Sequence, residues 1–347
     1  MTGLRRRVQA ATTEGGLRAA ALALAAMGGV AAIGCGPAAK TAMLPVDAGL
    51  GSSRSMPFER AVRAIPPPEQ AVIPLVVILD DGPPVDGTLS RVQARTIDQL
   101  VSRIIAARYA VWRPWRNGWP PDSVRVHCPD KLADQLHVGL RAARRIDGID
   151  SSHVVLVGFG QGGVIATMVA SRAPELVYAL AIIGTPARSV DQILTWPEWR
   201  DSVSIARLRP VFADLRAGAY ADSQIILEGR ASCWRSWLTV TAEMPERIAR
   251  LSQPVLAVQG TADSLLSLLD IERFRRAIGE RPASGADVVV GMRHDLRDKI
   301  LDSRESTSAI SPRFVPVMMS WLARVAPMEV PTRSRRNAPA SSDGTRP

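Results

Sequence analysis

The sequence has little lysine, little cysteine and few aromatic residues. Of the 43 basic residues among the 347, three are lysine, so arginine supplies the net charge of +10. A nucleic-acid-binding surface would gather these arginines on one stripe or face. The sequence shows no such cluster, and we therefore predict no nucleic-acid partner. After the first forty residues no apolar run reaches the roughly 20 residues of a spanning helix, which excludes a polytopic membrane protein.

The overall composition is that of a folded globular protein, with 46% apolar and 22% charged residues. Such values argue against a disordered or fibrous chain. Apart from Cys35, the cysteines are Cys128 and Cys233. They could form a disulfide in an oxidising compartment or stay as two buried thiols, and the sequence leaves both open. We predict no cofactor and no metal.

Residues 1–34 have the pattern of a secretory signal peptide. The basic run 5–7 precedes an almost entirely apolar segment, 17–34, and the order Ala-Ile-Gly-Cys at 32–35 resembles the lipobox of bacterial lipoproteins. This resemblance implies that Cys35 becomes the lipidated N-terminus, anchored in the bacterial cell envelope at the outer membrane or the periplasmic face. The alternative is an ordinary signal peptide followed by an incidental cysteine.

Two segments lack the composition needed to fold. Residues 35–70 are rich in Gly, Ser, Pro and Ala, and residues 327–347 in Pro, Ser, Arg and Asn. Because such segments bury too little apolar surface, we predict a disordered linker and a disordered tail. The folded domain is predicted at 71–326.

Short apolar runs alternate with amphipathic stretches across that domain, which predicts a mostly parallel, doubly wound sheet covered by helices on both faces. Predicted strands lie at 72–79, 109–112, 153–157, 177–183, 254–258 and 287–290. Predicted helices lie at 89–108, 130–146 with Asp130 as N-cap, 162–172, 270–278 and 314–325.

The segment at about 186–250 shows no strand pattern and is predicted to be a helical cap. It contains Trp196, Trp199, Trp234 and Trp237. These tryptophans either pack the cap onto the domain or line an apolar pocket beneath it.

A glycine-rich turn follows the third predicted strand and precedes a helix, with the order Gly158-Phe-Gly160-Gln161-Gly162-Gly163. It resembles the nucleophile elbow G-x-S-x-G of the α/β-hydrolases. Gly160 stands where that family has its nucleophilic serine, so no hydroxyl is present to attack a carbonyl.

Asp263 and His294 stand where the family places its acid and base, each just after a strand and in the family's order. The resemblance covers about residues 72–326 and is to dienelactone-hydrolase-like and serine-aminopeptidase-like esterases. It implies an α/β-hydrolase fold with a helical cap and an acyl- or ester-like substrate.

The same resemblance implies an oxyanion hole made by Gln161 and by the loop after the first strand, where Asp81 and Gly82 stand. Carboxylates at Asp80 and Asp81 would oppose the negative charge that such a hole stabilises. The alternative is that both act as turn residues and point elsewhere.

Three functions remain open. The chain is a pseudo-hydrolase that binds a small ligand or a partner, or an enzyme that uses the Asp263–His294 pair on water or substrate, or a scaffold at the cell envelope. The absent serine and the two acidic residues favour the first, while the retained Asp263 and His294 favour the second over the third.

Lipidation can be tested directly. In a lipoprotein-processing bacterium we expect the mature chain to begin at a diacylglyceryl-modified Cys35, because the basic, apolar and small-residue order precedes it. Mass spectrometry of the N-terminal peptide measures this. A mature chain that begins elsewhere, with an unmodified Cys35, would contradict it.

Overall fold

The computed structural model describes residues 41–42, 62–63, 72–82, 88–114, 126–197, 200–299 and 309–328. The predicted signal peptide, Cys35 and Trp199 lie outside these residues, as does the predicted tail apart from its first two positions. Within the described ranges, no helix is both long and apolar enough to cross a membrane.

Ten strands form two sheets in the described part of the chain. They are β1 (Thr41–Ala42), β2 (Val62–Arg63), β3 (Ile73–Leu79), β4 (Ala110–Trp112), β5 (Ile149–Phe159), β6 (Ala179–Ile183), β7 (Ile225–Ile226), β8 (Gly229–Arg230), β9 (Val255–Gly260) and β10 (Gly285–Val289). The main sheet has the order β1-β2-β4-β3-β5-β6-β9-β10. In this sheet β4, β3, β5, β6, β9 and β10 pair in parallel with their neighbours. At the edge, β1 pairs antiparallel with β2, and β2 pairs antiparallel with β4.

Nine α-helices are described along the chain. They are α1 (Thr88–Ala106), α2 (Pro129–Ala143), α3 (Gln161–Arg172), α4 (Val190–Leu194), α5 (Ser202–Ala217), α6 (Ala231–Ala242), α7 (Met244–Arg250), α8 (Leu268–Ile278) and α9 (Phe314–Val325). Five of them, α1, α2, α3, α8 and α9, coincide closely with the predicted helices.

Helices cover both faces of the sheet, because alternate side chains of β3 pack into two different apolar clusters. Leu75, Val77 and Leu79 pack in a cluster with residues of α2, α3 and α8. Val76 and Ile78 pack in a second cluster with residues of α1 and α9. Because successive side chains of a strand point to opposite faces, a continuous apolar strand needs helices on both sides. The predicted α/β architecture is confirmed.

Several local predictions differ from the structure. The prediction that Asp130 is the N-cap of α2 is wrong, since the helix begins at Pro129 with Cys128 as N-cap. The Asp130 carboxylate accepts hydrogen bonds from Arg172 and Ser236 and does not cap the helix. The cap contains the short hairpin of β7 and β8 besides its helices. Within the predicted linker, the described residues of β1 and β2 extend the sheet.

The cap is fastened to the sheet domain at the start of α2. Cys128 and Cys233 form a disulfide that joins this point to α6, with 4.4 Å between their Cα atoms. Beside it, Trp237 Nε1 donates to the carbonyl oxygen of His127 at 2.7 Å. Trp234 packs inside the cap against Phe212. Both tryptophans are thus buried packing residues, which is the first of the two roles considered for them.

Loss of the disulfide should loosen the cap. The bond closes a loop with a sequence separation of 105 residues, and such long loops correspond to an upper estimate of about 4–5 kcal/mol by chain entropy. We expect Cys128→Ser/Cys233→Ser to lower the free energy of unfolding by about 2–4 kcal/mol in urea denaturation. Wild type with its disulfide reduced should show a similar loss of stability. An unchanged urea midpoint in both the variant and the reduced wild type would contradict the prediction.

Candidate active site

The predicted site residues meet at one edge of the main sheet. Asp81 follows β3, Gly160 follows β5, Asp263 follows β9 and His294 follows β10. All four strands are parallel, so their carboxyl ends share an edge, where open α/β sheets place their sites. The structure therefore brings together residues that are far apart in the sequence.

The turn after β5 has the geometry expected of an elbow. Gly160 has φ +50° and ψ −117° and lies between β5 and the first residue of α3. A Cβ on Gly158 would lie 2.5 Å from Cα of Gly163, and one on Gly162 would lie 2.4 Å from the carbonyl oxygen of Leu79. The helix can begin this close to the strands only because these positions lack side chains.

Asp263 and His294 form a hydrogen-bonded pair. His294 Nδ1 lies 2.9 Å from Asp263 Oδ2. The other oxygen, Oδ1, accepts the N–H groups of Leu265 at 2.8 Å and Leu266 at 3.0 Å. With 1% of its side chain exposed, Asp263 is fixed in orientation and directs the imidazole so that Nε2 faces the elbow.

The loop that carries His294 is held by side chains that the sequence did not single out. From α1, Gln93 Nε2 donates to the carbonyl oxygen of His294 at 3.3 Å, and Thr96 Oγ1 donates to that of Asp295 at 2.7 Å. At the end of β6, Gly184 has φ +54°, and a Cβ there would lie 3.3 Å from His294 Nδ1. These contacts join distant positions, and no local sequence signal indicates them.

Asp80 and Asp81 point in different directions. Asp80 is buried and paired with Arg113, whose Nε donates to Oδ2 at 2.8 Å and whose Nη2 lies 2.7 Å from Oδ1. Burial raises the pKa of Asp80 to about 6, although Arg113 acts in the opposite direction. Of the two alternatives considered, a side chain that points elsewhere describes Asp80, and a carboxylate at the predicted oxyanion hole describes Asp81.

The Asp81 carboxylate occupies the oxyanion hole that the sequence predicted. Its Oδ1 accepts the N–H groups of Gln161 at 2.8 Å and Gly82 at 2.9 Å. Its Oδ2 lies 3.2 Å from His294 Nε2. Both backbone donors expected for a substrate oxyanion are thus bound to the chain's own carboxylate. We call Asp81, His294 and Asp263 the acidic triad.

Asp81 also fills the space of the missing serine side chain. A Cβ on Gly160 would lie 2.3 Å from Asp81 Cγ and 2.4 Å from each of its carboxylate oxygens. Any side chain at position 160 would therefore displace the Asp81 carboxylate. Gly160 and Asp81 are consequently two parts of one arrangement.

Two carboxylates keep His294 charged. Burial alone would lower the pKa of His294, but the charge of Asp263 and the hydrogen bonds to Asp263 and Asp81 raise that pKa well above 6.5. Each imidazole nitrogen lies within hydrogen-bond distance of a carboxylate oxygen, an arrangement that favours the protonated ring. In this state it has no lone pair with which to accept a proton from water.

The described residues contain no group of three or more His, Cys, Asp or Glu side chains with the geometry to hold a metal ion. What the acidic triad can offer a ligand is one partly open carboxylate beside an imidazolium. The side chain of Asp81 is 18% exposed, against 10% for His294.

No family model matches the chain, and no curated protein matches it significantly. Among solved structures it is similar to a monoacylglycerol lipase from Paleococcus ferrophilus, with 13% identity, a TM-score of 0.49 and coverage of 74% of this chain and 97% of the other. It is similar to Est1E from Butyrivibrio proteoclasticus, with 15% identity, a TM-score of 0.48 and coverage of 73% and 90%. A meta-cleavage product hydrolase from Pseudomonas fluorescens IP01 has 17% identity, a TM-score of 0.46 and coverage of 73% and 92%.

At such identities and with TM-scores below 0.5, these likenesses carry no argument about what this chain does. Independently of them, this chain has a mostly parallel sheet covered by helices, an elbow after β5, and an acid and a histidine after β9 and β10. These are the features that the resemblance to α/β-hydrolases implied. The chain has the α/β-hydrolase fold.

The charge of His294 can be measured in solution. The chain has four histidines, so the ring signals are few enough to assign by NMR with a His294→Gln variant. We expect His294 to titrate well above pH 6.5, and Asp81→Asn to lower its pKa, because that change removes one hydrogen bond and one negative charge. A wild-type midpoint at or below 6.5 would contradict the assignment.

The raised pKa also has a consequence for stability. A histidine whose folded-state pKa exceeds its unfolded value stabilises the fold fully below about pH 6.5, and this contribution is lost as the pH rises through the folded-state pKa. The stability difference between wild type and His294→Gln should therefore shrink at high pH.

Proposed function

We propose that this chain is a lipid-anchored α/β-hydrolase-fold protein of the bacterial cell envelope that has lost serine chemistry and binds a small-molecule ligand at the acidic triad. In this sense it is a pseudo-hydrolase. The observation that carries the proposal is the Asp81 carboxylate, which fills both the space of a side chain at position 160 and the oxyanion hole.

The size of the rate loss expected without a nucleophile supports the proposed loss of serine chemistry. Removal of the nucleophile from a comparable triad costs about 10⁶ in kcat. A residual rate of about 10³–10⁴ over water comes from the oxyanion hole and substrate binding. Here the Gln161 N–H is bound to Asp81, so a substrate oxyanion would meet a carboxylate in place of a donor.

The proposed location has two supports. The first is the signal-like segment that ends at Cys35. The second is the disulfide between Cys128 and Cys233, since disulfides persist in the oxidising environment outside the cytoplasm. Lipidation would hold the domain at a membrane surface.

A second candidate function is catalysis without serine. The observation that favours it is the well-ordered pair of Asp263 and His294, whose loop is held by Gln93 and Thr96. Direct activation of water by His294 is opposed by its raised pKa and by its contact with Asp81. Catalysis at this site therefore requires a role for Asp81.

The loss of serine chemistry is tested by rebuilding the serine site. Because Asp263, His294 and the elbow glycines are all present, the sequence alone predicts that Gly160→Ser restores some activity. In the structure the new side chain and Asp81 compete for the same space, so we expect the single variant to be inactive. Gly160→Ser/Asp81→Gly should gain fluorophosphonate labelling and turnover of short p-nitrophenyl esters, because both the hydroxyl and the oxyanion hole are then free.

Adding His294→Ala to the double variant is the control and should abolish the gain. Wild type that labels efficiently at any serine would show that serine chemistry persists. A double variant that folds, as judged by thermal unfolding, but gains no labelling would contradict the claim that Asp81 is what blocks the site.

A further inference from the structure

We infer that a second copy of this chain pairs with β10, the last strand at one end of the main sheet, and that the two copies form a two-fold symmetric dimer. The two β10 strands run antiparallel in this dimer and join the sheets of both copies. The surface involved is different from the acidic triad and needs no ligand there.

The main chain of alternate residues along β10 faces away from the sheet. The carbonyl oxygen of Val289 accepts the N–H of Thr261 at 3.0 Å, so the main-chain groups of Val289 face β9. Because these groups alternate in direction along a strand, those of Ala286, Val288 and Val290 face outward. We call these three residues the β10 edge. Such an edge is a template for another strand.

The side chains of the β10 edge are apolar and accessible. Val288 is 37% exposed and Val290 is 59% exposed. Valine is among the residues that favour strands, and β10 itself contains a single charged residue, Asp287. The β10 edge therefore offers a partner strand both main-chain groups and apolar side chains.

Two arginines lie at the two ends of the β10 edge. From α8, Arg275 Nη2 donates to the carbonyl oxygen of Ala286 at 3.0 Å. At the start of α9, Arg313 Nη1 donates to that of Val290 at 3.4 Å. Between them, no side chain in the described part of the chain binds the main chain of Val288. Because a carbonyl oxygen has two lone pairs, each end can also accept an N–H group from a partner strand.

The β10 edge is complementary to itself. In an antiparallel pair centred on Val288, this residue lies opposite Val288 of the second copy, and Ala286 lies opposite Val290. Each Val288 then donates its N–H to the other and accepts one in return, and the two valine side chains meet on one face of the joined sheet. A pair that uses the same surface in both copies closes as a two-fold dimer.

Helix α9 borders the β10 edge and carries little charge. Arg313, its N-cap, contacts Val290 just after β10, and Trp321 Nε1 donates to the carbonyl oxygen of Ala283 just before β10 at 2.8 Å. The helix therefore runs alongside the strand. Its exposed residues are Pro316, Ser320, Ala323 and Arg324. In a chain with a net charge of +10, a surface with so few charges is where two copies approach with the least repulsion.

Sedimentation of the full chain in a non-ionic detergent tests for the dimer. We expect a concentration-dependent dimer. Raising the salt concentration from about 0.01 M to about 0.1 M shortens the Debye length from roughly 30 Å to roughly 10 Å. This change should tighten the dimer, because it screens the repulsion between two chains that each carry a net charge of +10.

Two variants test the position of the interface. Val288→Pro removes an N–H that faces away from β9, so it costs the monomer no ladder hydrogen bond. It should weaken the dimer at least about tenfold, because it removes both hydrogen bonds at the centre. Val290→Lys should weaken it by placing two positive charges at the interface. Val203→Lys is the matched control, since Val203 lies on α5 with 58% exposure, and it should dimerise as wild type does.

Cross-linking tests the register in a chain that keeps the β10 main chain intact. Val288→Cys should give a cross-linked dimer with a short bifunctional thiol reagent, because the two copies of residue 288 lie opposite each other. Val203→Cys, which shares every other cysteine with it, should give none.

A full chain that stays monomeric at all concentrations and salt conditions would overturn the inference. A dimer that persists in both Val288→Pro and Val290→Lys, or one that cross-links equally through residue 203, would place the interface elsewhere and also overturn it. A monomer whose binding to phosphatidylcholine vesicles is weakened by Val290→Lys but not by Val203→Lys would assign this surface to a lipid membrane in place of a second copy.

Discussion

The hydrogen bonds from the Gln161 and Gly82 N–H groups to Asp81 Oδ1 determine what the site can do. They hold a carboxylate at the N-terminus of α3, where a helix favours negative charge. They also orient Oδ2 toward His294. The charge state of His294, the occupied oxyanion hole and the filled space at Gly160 all follow from that one placement.

Neighbouring contacts fix this placement. Leu79 of β3 pairs with Gly158 of β5, which sets the end of one strand beside the elbow of the other. Asp80 is held by Arg113, and both side chains are largely buried, with 13% and 6% exposed. Removing one member of such a buried pair costs about 3–5 kcal/mol, so Asp80 cannot readily exchange roles with Asp81. The pair therefore keeps the Asp81 side chain on the side of His294.

Periodicity was enough to predict the layers, because it depends on local pattern. The elbow and the pairing of Asp263 with His294 were implied by the resemblance to α/β-hydrolases, whose site residues follow strand ends. The direction of the Asp81 side chain was out of reach, since two adjacent acids at a strand end are equivalent until Arg113 binds one of them. The pairing of Cys128 with Cys233 depends on a tertiary contact across 105 residues.

The acidic triad differs from a serine site that has merely lost its hydroxyl. Removal of serine alone would leave a small space and two unoccupied N–H donors, open to any anion from solvent. Here that space holds a carboxylate from β3 that satisfies both donors, and a side chain at Gly160 would overlap it. Positions 81 and 160 are in contact and share these groups, so the effects of changing them cannot add independently. Changing either alone leaves an overlap or an empty anion site, whereas changing both restores the geometry of a serine site.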